Sequence, residues 1–202
     1  ILPPQKNYNV KVSPSVKSVR PCTACAIVKN LSFNDKKIKE IIDLQEKLHT
    51  TIGRNRKKVA IGIYPLEKIT LPITYIAKKP EQIKFIPLDA EKEMTARQIL
   101  QKHSTGRDYA HLLEPHSLYP LFIDAKSSIL SMPPIINSNE TGKITVQTTE
   151  VFVECSGNNQ ETLNKVLNIV ITTLADQGGQ VYQMKINNIT TPDLSPEKMR
   201  IS

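Results

Sequence analysis

The sequence has few cysteines and no long apolar run, and each absence excludes a class of protein. Its 202 residues include three cysteines, too few for the disulfide framework of a small secreted domain. No segment reaches the roughly 20 consecutive apolar residues that a membrane-spanning helix needs. We therefore expect a reduced, intracellular protein, and its 39% of apolar residues are enough to fill one sizeable core.

Nucleotide and metal chemistry also lack their usual motifs. The chain has no glycine-rich dinucleotide fingerprint, no phosphate-binding loop and no signature of adenylate-forming enzymes, so we expect no cofactor. Cys22 and Cys25 have metal-like spacing, but the remaining zinc ligands would have to be Cys155 and one scattered histidine. Residues three apart in a predicted strand also point to opposite faces. No metal site is predicted.

Histidines cluster in the middle of the chain without an acidic residue at a ligand spacing. They are His103, His111 and His116. We interpret them as a polar helix surface and keep His103, beside Lys102, as a candidate contact to a nucleic-acid backbone. A triad of Ser131, His103 and Asp124 is not favoured, because Ser131 lies in a predicted strand and not on a glycine-flanked elbow.

The chain is basic, with a net charge of +8 and a pI near 9.3. The sharpest cluster directly follows a predicted helix stop, Gly53, and consists of Arg54, Arg56, Lys57 and Lys58. A solvated surface explains such a cluster, and so does a site for the phosphates of a nucleic acid. Charge alone leaves both interpretations open, with nucleic acid as the leading anionic partner.

Strand and helix patterns alternate irregularly along the chain. Apolar runs bounded by proline, glycine and polar turns predict strands, and amphipathic runs after the N-caps Asn34 and Thr95 predict helices. The predicted strands are 22–28, 58–64, 73–77, 82–86, 119–124, 128–132, 151–155 and 181–186; the predicted helices are 35–50, 95–101 and 159–176, with a turn at 107–113 after a break at Gly106. This order favours an α+β fold with a mixed, mostly antiparallel β-sheet packed with a few helices.

The first and last predicted helices are amphipathic and should pack on the sheet. The first directs Ile38, Ile41, Ile42, Leu44 and Leu48 toward the core, and the last directs Leu163, Val166, Leu167, Val170, Ile171 and Leu174. Residues 1–19 show little periodicity and are predicted as an extended lead-in over the surface. The domain proper is predicted over 20–188, with 189–202 as a linker to a missing neighbour. Because the chain begins at Ile1 and shows no signal peptide, we expect a fragment of a longer protein.

Polar chemistry is concentrated between residues 119 and 157. Two apolar strands form a hairpin there, and Pro133-Pro134 then takes the chain out of the sheet, since proline cannot donate to a ladder. Residues 137–141 are consecutive hydrogen-bonding side chains, closed by Gly142. A stiff apolar approach to a polar loop is typical of a loop held at the edge of a core, so we place the candidate site here.

Four runs of the sequence together resemble a known family. They are 130–138 (Leu-Ser-Met-Pro-Pro-Ile-Ile-Asn-Ser), 151–155 (Val-Phe-Val-Glu-Cys), 53–64 (Gly-Arg-Asn-Arg-Lys-Lys-Val-Ala-Ile-Gly-Ile-Tyr) and 94–100 (Met-Thr-Ala-Arg-Gln-Ile-Leu). Over most of residues 20–187 the chain resembles the editing domain in the beta subunit of phenylalanyl-tRNA synthetase, of the archaeal and eukaryotic type.

The resemblance implies proofreading. A pocket built for phenylalanine rejects an isostere with one added hydroxyl by only about 10²-fold, so tyrosine is attached to tRNA(Phe) by mistake. The implied activity is that of an aminoacyl-tRNA ester hydrolase domain of a phenylalanine–tRNA ligase, which cleaves Tyr-tRNA(Phe) without a cofactor. The implied partners are the 3′ end of tRNA(Phe) carrying tyrosine and the alpha subunit of the synthetase, in the cytoplasm and without a membrane.

The resemblance also assigns site residues by position. It implies Asn137 and Glu154 as catalytic residues and Phe122, Ser131 and Lys143 as substrate-binding residues; Ser138 and Glu140 of the same loop are further substrate-binding candidates, and Glu140 matches the acidic residue of bacterial relatives only if one gap is allowed. The tRNA-binding candidates come from their charge and position in the sequence, and they are Arg54, Arg56, Lys57, Lys58, Lys102 and His103. By strand alternation Glu154 shares a face with Phe152, so it is either solvent-facing or the polar group of a pocket, while Ser131 suits a small core residue. Bacterial members of the family use a histidine near Gly62, and a mechanism that depends on it is not expected here.

Two other function classes stay open. One is a non-catalytic tRNA-binding module, which the charge favours, and the other is a scaffold that holds synthetase subunits together. Release of tyrosine from Tyr-tRNA by the purified domain separates editing from binding. Alanine at Asn137 or Glu154 would leave hydrolysis unchanged if the domain were only a scaffold.

Overall fold

A computed structural model of the chain describes residues 1–187 and the backbone of residues 189 and 190. The described strands are β1 (Asn9–Val12), β2 (Cys22–Lys29), β3 (Val59–Pro65), β4 (Ile73–Lys78), β5 (Lys84–Phe85), β6 (Met94–Thr95), β7 (Tyr119–Ile123), β8 (Ile129–Met132), β9 (Ile136–Asn137), β10 (Val151–Gly157), β11 (Gln180–Gln183), β12 (Lys185–Ile186) and β13 (Ile189–Thr190). The α-helices are α1 (Asp35–Thr50), α2 (Ala96–Lys102), α3 (Ser104–Tyr109) and α4 (Gln160–Asp176). The predicted linker, 189–202, lies outside the described residues except for β13.

The strands form two main sheets and one small hairpin, β5-β6. The four-stranded sheet has the order β11-β2-β10-β3, and its pairings are antiparallel. The seven-stranded sheet has the order β13-β12-β1-β4-β7-β8-β9, and in it β1 pairs parallel with β12 and with β4. The predicted α+β fold with a mixed, mostly antiparallel sheet is therefore confirmed.

Strand alternation builds the core in layers. On β2, Ala26 packs in one cluster with α1 and α4, while Ile27 packs in a second cluster between the two main sheets. On β7, Phe122 belongs to this second cluster, whereas Leu121 packs on the far side of the seven-stranded sheet with α2. The order of layers is thus helices, four-stranded sheet, seven-stranded sheet and the short helices.

The two amphipathic helices cover the four-stranded sheet. All six apolar residues predicted for the core side of α4 are buried. On α1, Ile41 and Leu48 are buried and Ile38 and Leu44 partly so, but Ile42 is 51% exposed, contrary to the prediction. None of the described elements covers Ile42, which borders an open cleft.

Helices α1 and α2 each begin directly after an N-cap residue. The Asn34 side chain accepts a hydrogen bond from the Lys37 amide at 2.9 Å, and Thr95 forms a capping box with Gln98. Such caps each stabilise a helix by about 1 kcal/mol, and both were predicted from the sequence.

Residues 1–19 contribute to the core as well as covering the surface. They contain β1, which lies between β12 and β4, and both Val10 and Val16 are 1% exposed. The alternation of Tyr8, Val10 and Val12 with polar residues suits a strand with one buried face.

Three predicted elements differ from the structure. Only β5 forms within the strand predicted at 82–86, after a 3₁₀ turn at Pro80–Gln82. The strand predicted at 181–186 is divided into β11 and β12, which belong to different sheets. Gly106 does not break a helix but lies inside α3, and the break is at His103, whose backbone is extended.

Gly106 lies inside α3 because it packs against the backbone of α2. An ideal Cβ at this position would lie 1.8 Å from the Ile99 carbonyl oxygen. We therefore expect Gly106→Ala to lower the free energy of unfolding by about 1–3 kcal/mol, despite the helix preference of alanine. Urea unfolding measures the change, with Gln101→Ala on the exposed side of α2 as the control. An unchanged midpoint for Gly106→Ala would show that the helices separate at no cost.

Candidate functional site

A cleft of about 620 Å³ opens where the four-stranded sheet ends at β3. The seven-stranded sheet continues past this point through β8 and β9. The cleft is bordered by α1, β3, the segments on either side of β9 and the start of α3. Most of its walls are apolar and include Ile38, Ile42, Ile63, Pro134 and Ile144.

Two side chains of α1 form hydrogen bonds with backbone groups at the free edge of β3. The Ile61 N–H donates to His49 Nε2 at 2.9 Å, and the Ile61 carbonyl accepts from Gln45 Nε2 at 3.0 Å. Backbone groups of an antiparallel strand alternate in direction, so those of Ile63 also point away from β10 and toward the cleft. The edge is thus closed by a helix at one end and open at the other.

Three polar side chains meet at the inner end of the cleft, between the two sheets. The Tyr64 hydroxyl lies 3.1 Å from Glu154 Oε1 and 3.3 Å from Asn137 Oδ1. Glu154 is 2% exposed, which excludes the solvent-facing alternative for it. Glu154 Oε2 and Ser131 Oγ are buried, and neither makes a hydrogen bond of good geometry among the described residues, although the Ser131 hydroxyl lies close enough to the Tyr64 hydroxyl to oppose the rise of its pKa. These two atoms are free to bind a polar group that enters the cleft.

Burial controls the charge of this group. Desolvation raises the pKa of Glu154 to about 8, although the Tyr64 hydrogen bond and the Arg20 guanidinium act in the opposite direction. Desolvation, followed by the Glu154 charge, also raises the pKa of Tyr64. At neutral pH the inner end of the cleft is therefore mostly uncharged.

Gly62 makes room for the Tyr64–Glu154 contact. It lies directly opposite Glu154 in the β3–β10 register. An ideal Cβ at Gly62 would lie 2.1 Å from the Tyr64 hydroxyl and 2.6 Å from Glu154 Oε1. A larger residue here is incompatible with this arrangement.

Arg56 fixes the mouth of the cleft. Its guanidinium donates to the Ile135 carbonyl at 2.8 Å and to Glu46 at 3.1 Å, and it lies 4.5 Å from the centre of the Tyr109 ring. Glu46 also accepts from His49 Nδ1 at 3.2 Å, and this bond, followed by the Arg56 charge, lowers the pKa of Glu46. Arg56 therefore joins α1 to the loop before β9, and its charge is already paired.

The turn that carries the basic cluster is held in an uncommon conformation. Arg54, Asn55 and Arg56 have φ angles of 48°, 53° and 64°. Buried Arg20 donates to the carbonyls of Arg56, at 3.2 Å, and of Lys57, at 3.3 Å, as well as to Ser156 on β10. The residues after the turn thus have a fixed backbone and exposed side chains at positions 57 and 58.

Six of the candidate site residues line the cleft. They are Arg56, His103, Ser131, Asn137, Lys143 and Glu154. Phe122 does not line it but stacks on Tyr75, with ring centres 4.3 Å apart. Ser138 Oγ accepts from the Glu140 amide at 3.3 Å, and the Glu140 side chain is exposed in the loop. Arg54, Lys57, Lys58 and Lys102 are exposed outside the cleft lining.

Sequence reasoning missed three residues of the site. Tyr64, Glu46 and His49 line or support the cleft, yet none was a candidate. A buried tyrosine normally finds a partner for its hydroxyl, so Tyr64 in an otherwise apolar strand was a usable signal. His49 carried no such signal, because the bond that fixes it at the cleft comes from a backbone N–H on β3, that of Ile61.

Metal and membrane functions find no support in the described part of the chain. It contains no group of three or more His, Cys, Asp or Glu residues placed to hold a metal ion. Cys22 packs with the helix-side cluster and Cys25 with the cluster between the sheets. None of the described helices is long and apolar enough to cross a membrane.

Comparison with known proteins finds one family and close relatives. The B3/4 domain family matches residues 6–173. The phenylalanine–tRNA ligase beta subunit of Thermococcus sibiricus is 40% identical over 201 residues, which is 98% of this chain and 36% of that protein. The same subunit of Pyrococcus furiosus is 40% identical over 197 residues, 96% of this chain and 35% of that protein.

A solved structure has the same fold. It is an N-terminal fragment of the phenylalanyl-tRNA synthetase beta subunit from Pyrococcus horikoshii, with a TM-score of 0.89 and 41% identity. The match covers 94% of this chain and 56% of that fragment. The resemblance to this subunit, drawn from the sequence, is confirmed.

The raised pKa of Glu154 predicts a pH-dependent stability. Between pH 4.5 and about 8 the folded chain keeps the Glu154 proton and the unfolded chain releases it, so raising the pH favours unfolding. We expect Glu154→Gln, which mimics the protonated acid, to gain stability over the wild type across this range, by up to about 1.4 kcal/mol per pH unit. Urea unfolding at several pH values measures the difference, with exposed Glu91→Gln as the control. A difference that does not vary with pH would contradict this account.

Proposed function

Because the chain belongs to the B3/4 domain family, we propose that it is the editing domain of a phenylalanine–tRNA ligase beta subunit and hydrolyses Tyr-tRNA(Phe). The chain spans 36% of the length of the Thermococcus sibiricus relative, so ligase activity and pairing with an alpha subunit belong to the longer protein in this proposal. The partner of the cleft is the 3′ end of tRNA(Phe) carrying tyrosine.

The observation that carries the proposal is the pair of unpartnered buried atoms in an apolar cleft. Glu154 Oε2 and Ser131 Oγ make no hydrogen bond of good geometry among the described residues, and a tyrosine hydroxyl would supply one for each. Phenylalanine fills the same apolar space but leaves both atoms unpaired, which costs about 1–3 kcal/mol for each buried group. A site of this kind selects for the hydroxyl that the synthetic pocket of a ligase rejects weakly.

Hydrolysis in this proposal is by a positioned water. The triad of Ser131, His103 and Asp124 is not formed, because the Asp124 carboxylate accepts backbone hydrogen bonds from Thr70, Lys126 and Ser128. Side chains of the cleft therefore orient the ester and the water, and holding reactants in place is itself a large source of rate enhancement.

The mouth of the cleft suits the end of a nucleic acid. Lys143 is exposed at the lining, and His103 donates its Nε2–H to the Leu88 carbonyl at 3.0 Å, which leaves Nδ1 as an unpaired acceptor. Exposed Arg54, Lys57 and Lys58 follow α1 nearby in the chain. These cations are proposed to bind tRNA phosphates, whereas paired Arg56 is proposed to shape the cleft.

A tRNA-binding module without hydrolysis is the second candidate, and the exposed cations favour it. It differs from the editing proposal in one respect, since it predicts affinity for tRNA without release of tyrosine from Tyr-tRNA.

Substitutions at the inner end test the editing proposal. Asn137→Ala and Glu154→Ala are expected to slow deacylation of Tyr-tRNA(Phe) about ten- to a hundredfold, because each removes a partner of the buried network. Deacylation of Tyr-tRNA(Phe) and Phe-tRNA(Phe) is measured side by side, together with thermal unfolding of each variant. Asp43→Ala removes an exposed carboxylate of α1 and serves as the control.

The outcome distinguishes chemistry from packing. Full activity in both variants, or a loss that only follows their unfolding, would contradict the pocket assignment. No release of tyrosine by the wild-type chain would leave the binding module as the better account.

Charge substitutions test the tRNA surface. The triple variant Arg54→Ala, Lys57→Ala, Lys58→Ala is expected to bind tRNA more weakly at low salt. The slope of log affinity against log salt should shrink by about 0.7–0.9 for each phosphate that the variant no longer neutralises. The control removes three exposed lysines from other surfaces, Lys11, Lys17 and Lys126. Equal effects of the two triple variants would show that net charge alone, and not this turn, attracts the tRNA.

A further inference from the structure

Tyr64 contacts both residues that the resemblance assigns to catalysis, although it has no assigned role itself. Its hydroxyl lies 3.1 Å from Glu154 Oε1 and 3.3 Å from Asn137 Oδ1. These contacts join β3, β9 and β10, three strands from two different sheets. Any change at this hydroxyl therefore reaches both Glu154 and Asn137.

We propose that Tyr64 is a positioning residue that sets the specificity of the cleft. Its hydroxyl holds Glu154 Oε1, so that Oε2 is the carboxyl oxygen that meets the hydroxyl of a phenol. The substrate class is an aminoacyl ester with a phenolic side chain. This inference rests on the proposed editing function. It adds the residue that orients the Glu154 carboxyl, which selects the substrate.

The hydrogen-bond geometry supports this role. The Tyr64 hydroxyl has one proton, and the carboxyl oxygen is the closer of its two acceptors. A half-turn of the Asn137 amide exchanges its oxygen and nitrogen, and Nδ2–H then donates to the Tyr64 oxygen. In that arrangement the Tyr64 hydroxyl both donates, to Glu154 Oε1, and accepts, from Asn137, while Glu154 Oε2 keeps no partner among the described residues.

The Tyr64 hydroxyl is held in place by its surroundings. Its side chain is fully buried, and the ring stacks on Phe152 with centres 5.7 Å apart and planes 26° apart. Phe152 and Tyr64 are also direct partners in the β10–β3 register, next to the Glu154–Gly62 pair. Because the Tyr64 ring is fixed, its hydroxyl keeps the Glu154 carboxyl in one orientation. Selection of a substrate by a single hydroxyl group requires such a fixed orientation.

The protonation of Glu154 agrees with this geometry. Arg20, Cys25, Tyr64 and Tyr75 interact electrostatically with Glu154 from the space between the sheets, and Cys155 does so from the opposite face of β10. Burial raises the pKa of Glu154 to about 8, and of the groups that oppose this rise the Tyr64 hydrogen bond comes first and the Arg20 charge second. Because Oε1 accepts from Tyr64, the carboxyl proton belongs on Oε2. There it donates a hydrogen bond to the phenol oxygen, and the phenol O–H in turn donates a hydrogen bond to Ser131 Oγ, with no proton transferred.

Tyr64→Phe tests the inference with minimal change of shape. We expect the ratio of Tyr-tRNA(Phe) to Phe-tRNA(Phe) deacylation to fall about tenfold, because the carboxyl loses its fixed orientation. The titration midpoint of Glu154, followed by NMR of carboxyl-labelled glutamate, should move to higher pH, because the Tyr64 bond lowers the pKa of Glu154. A purely structural role of Tyr64 would not produce this combination.

The matched control is Tyr75→Phe. Tyr75 is also fully buried and stacked on a phenylalanine, but its hydroxyl donates to the Arg20 carbonyl at 2.8 Å, outside the cleft lining. This variant should keep the wild-type deacylation ratio, while any loss of stability reports the general cost of removing a buried hydroxyl.

The outcomes separate the inference from the proposed function. An active wild type, with an unchanged ratio or an unmoved Glu154 midpoint in Tyr64→Phe, overturns the role of Tyr64 alone. Equal loss with both substrates in Tyr64→Phe also overturns it. A wild type that releases no tyrosine overturns the editing function, and the specificity role falls with it.

Discussion

The free edge of β3 is the constraint on which the cleft depends. A sheet edge exposes unpaired backbone groups that must be covered, paired or hydrated. Here α1 covers Ile61 through His49 and Gln45, while the backbone of Ile63 faces the cavity. Because no further strand pairs with β3 in the described part of the chain, the space between the two sheets stays open at this point. The buried polar residues of both sheets are thereby accessible from the side.

A buried carboxyl at this opening is costly, and the surrounding residues limit that cost. Glu154 remains mostly neutral at neutral pH, which avoids an isolated charge in an apolar interior. Gly62 leaves the volume in which the carboxyl and the Tyr64 hydroxyl meet. Glu154 Oε2 has no partner among the described residues and keeps part of this cost, which a phenol hydroxyl would remove in the editing proposal. Selectivity and local instability thus have the same physical origin.

Local sequence patterns predicted where helices and strands form better than they predicted which residues contact each other across the fold. Helices α1 and α2 begin after the caps that the sequence indicated, because capping depends on residues a few positions apart. Ile42 was misplaced because periodicity cannot show that a neighbouring layer ends. The bond from Tyr64 to Glu154 joins residues 90 positions apart, so no local pattern contains it. Arg56 was expected to be a free cation for the same reason, since its carbonyl partner is 79 positions away.

The buried guanidinium of Arg20 has a consequence for the kinetics of association. It binds the carbonyls of Arg56 and Lys57 and anchors them to β10, so the main chain under the exposed cations is ordered before any ligand arrives. An anionic strand that approaches is accelerated by the surface charge. On contact it immobilises only the side chains, and the loss of conformational entropy is correspondingly small. If the cations bind tRNA as proposed, the turn is a preformed binding surface, and no folding of the main chain has to precede binding.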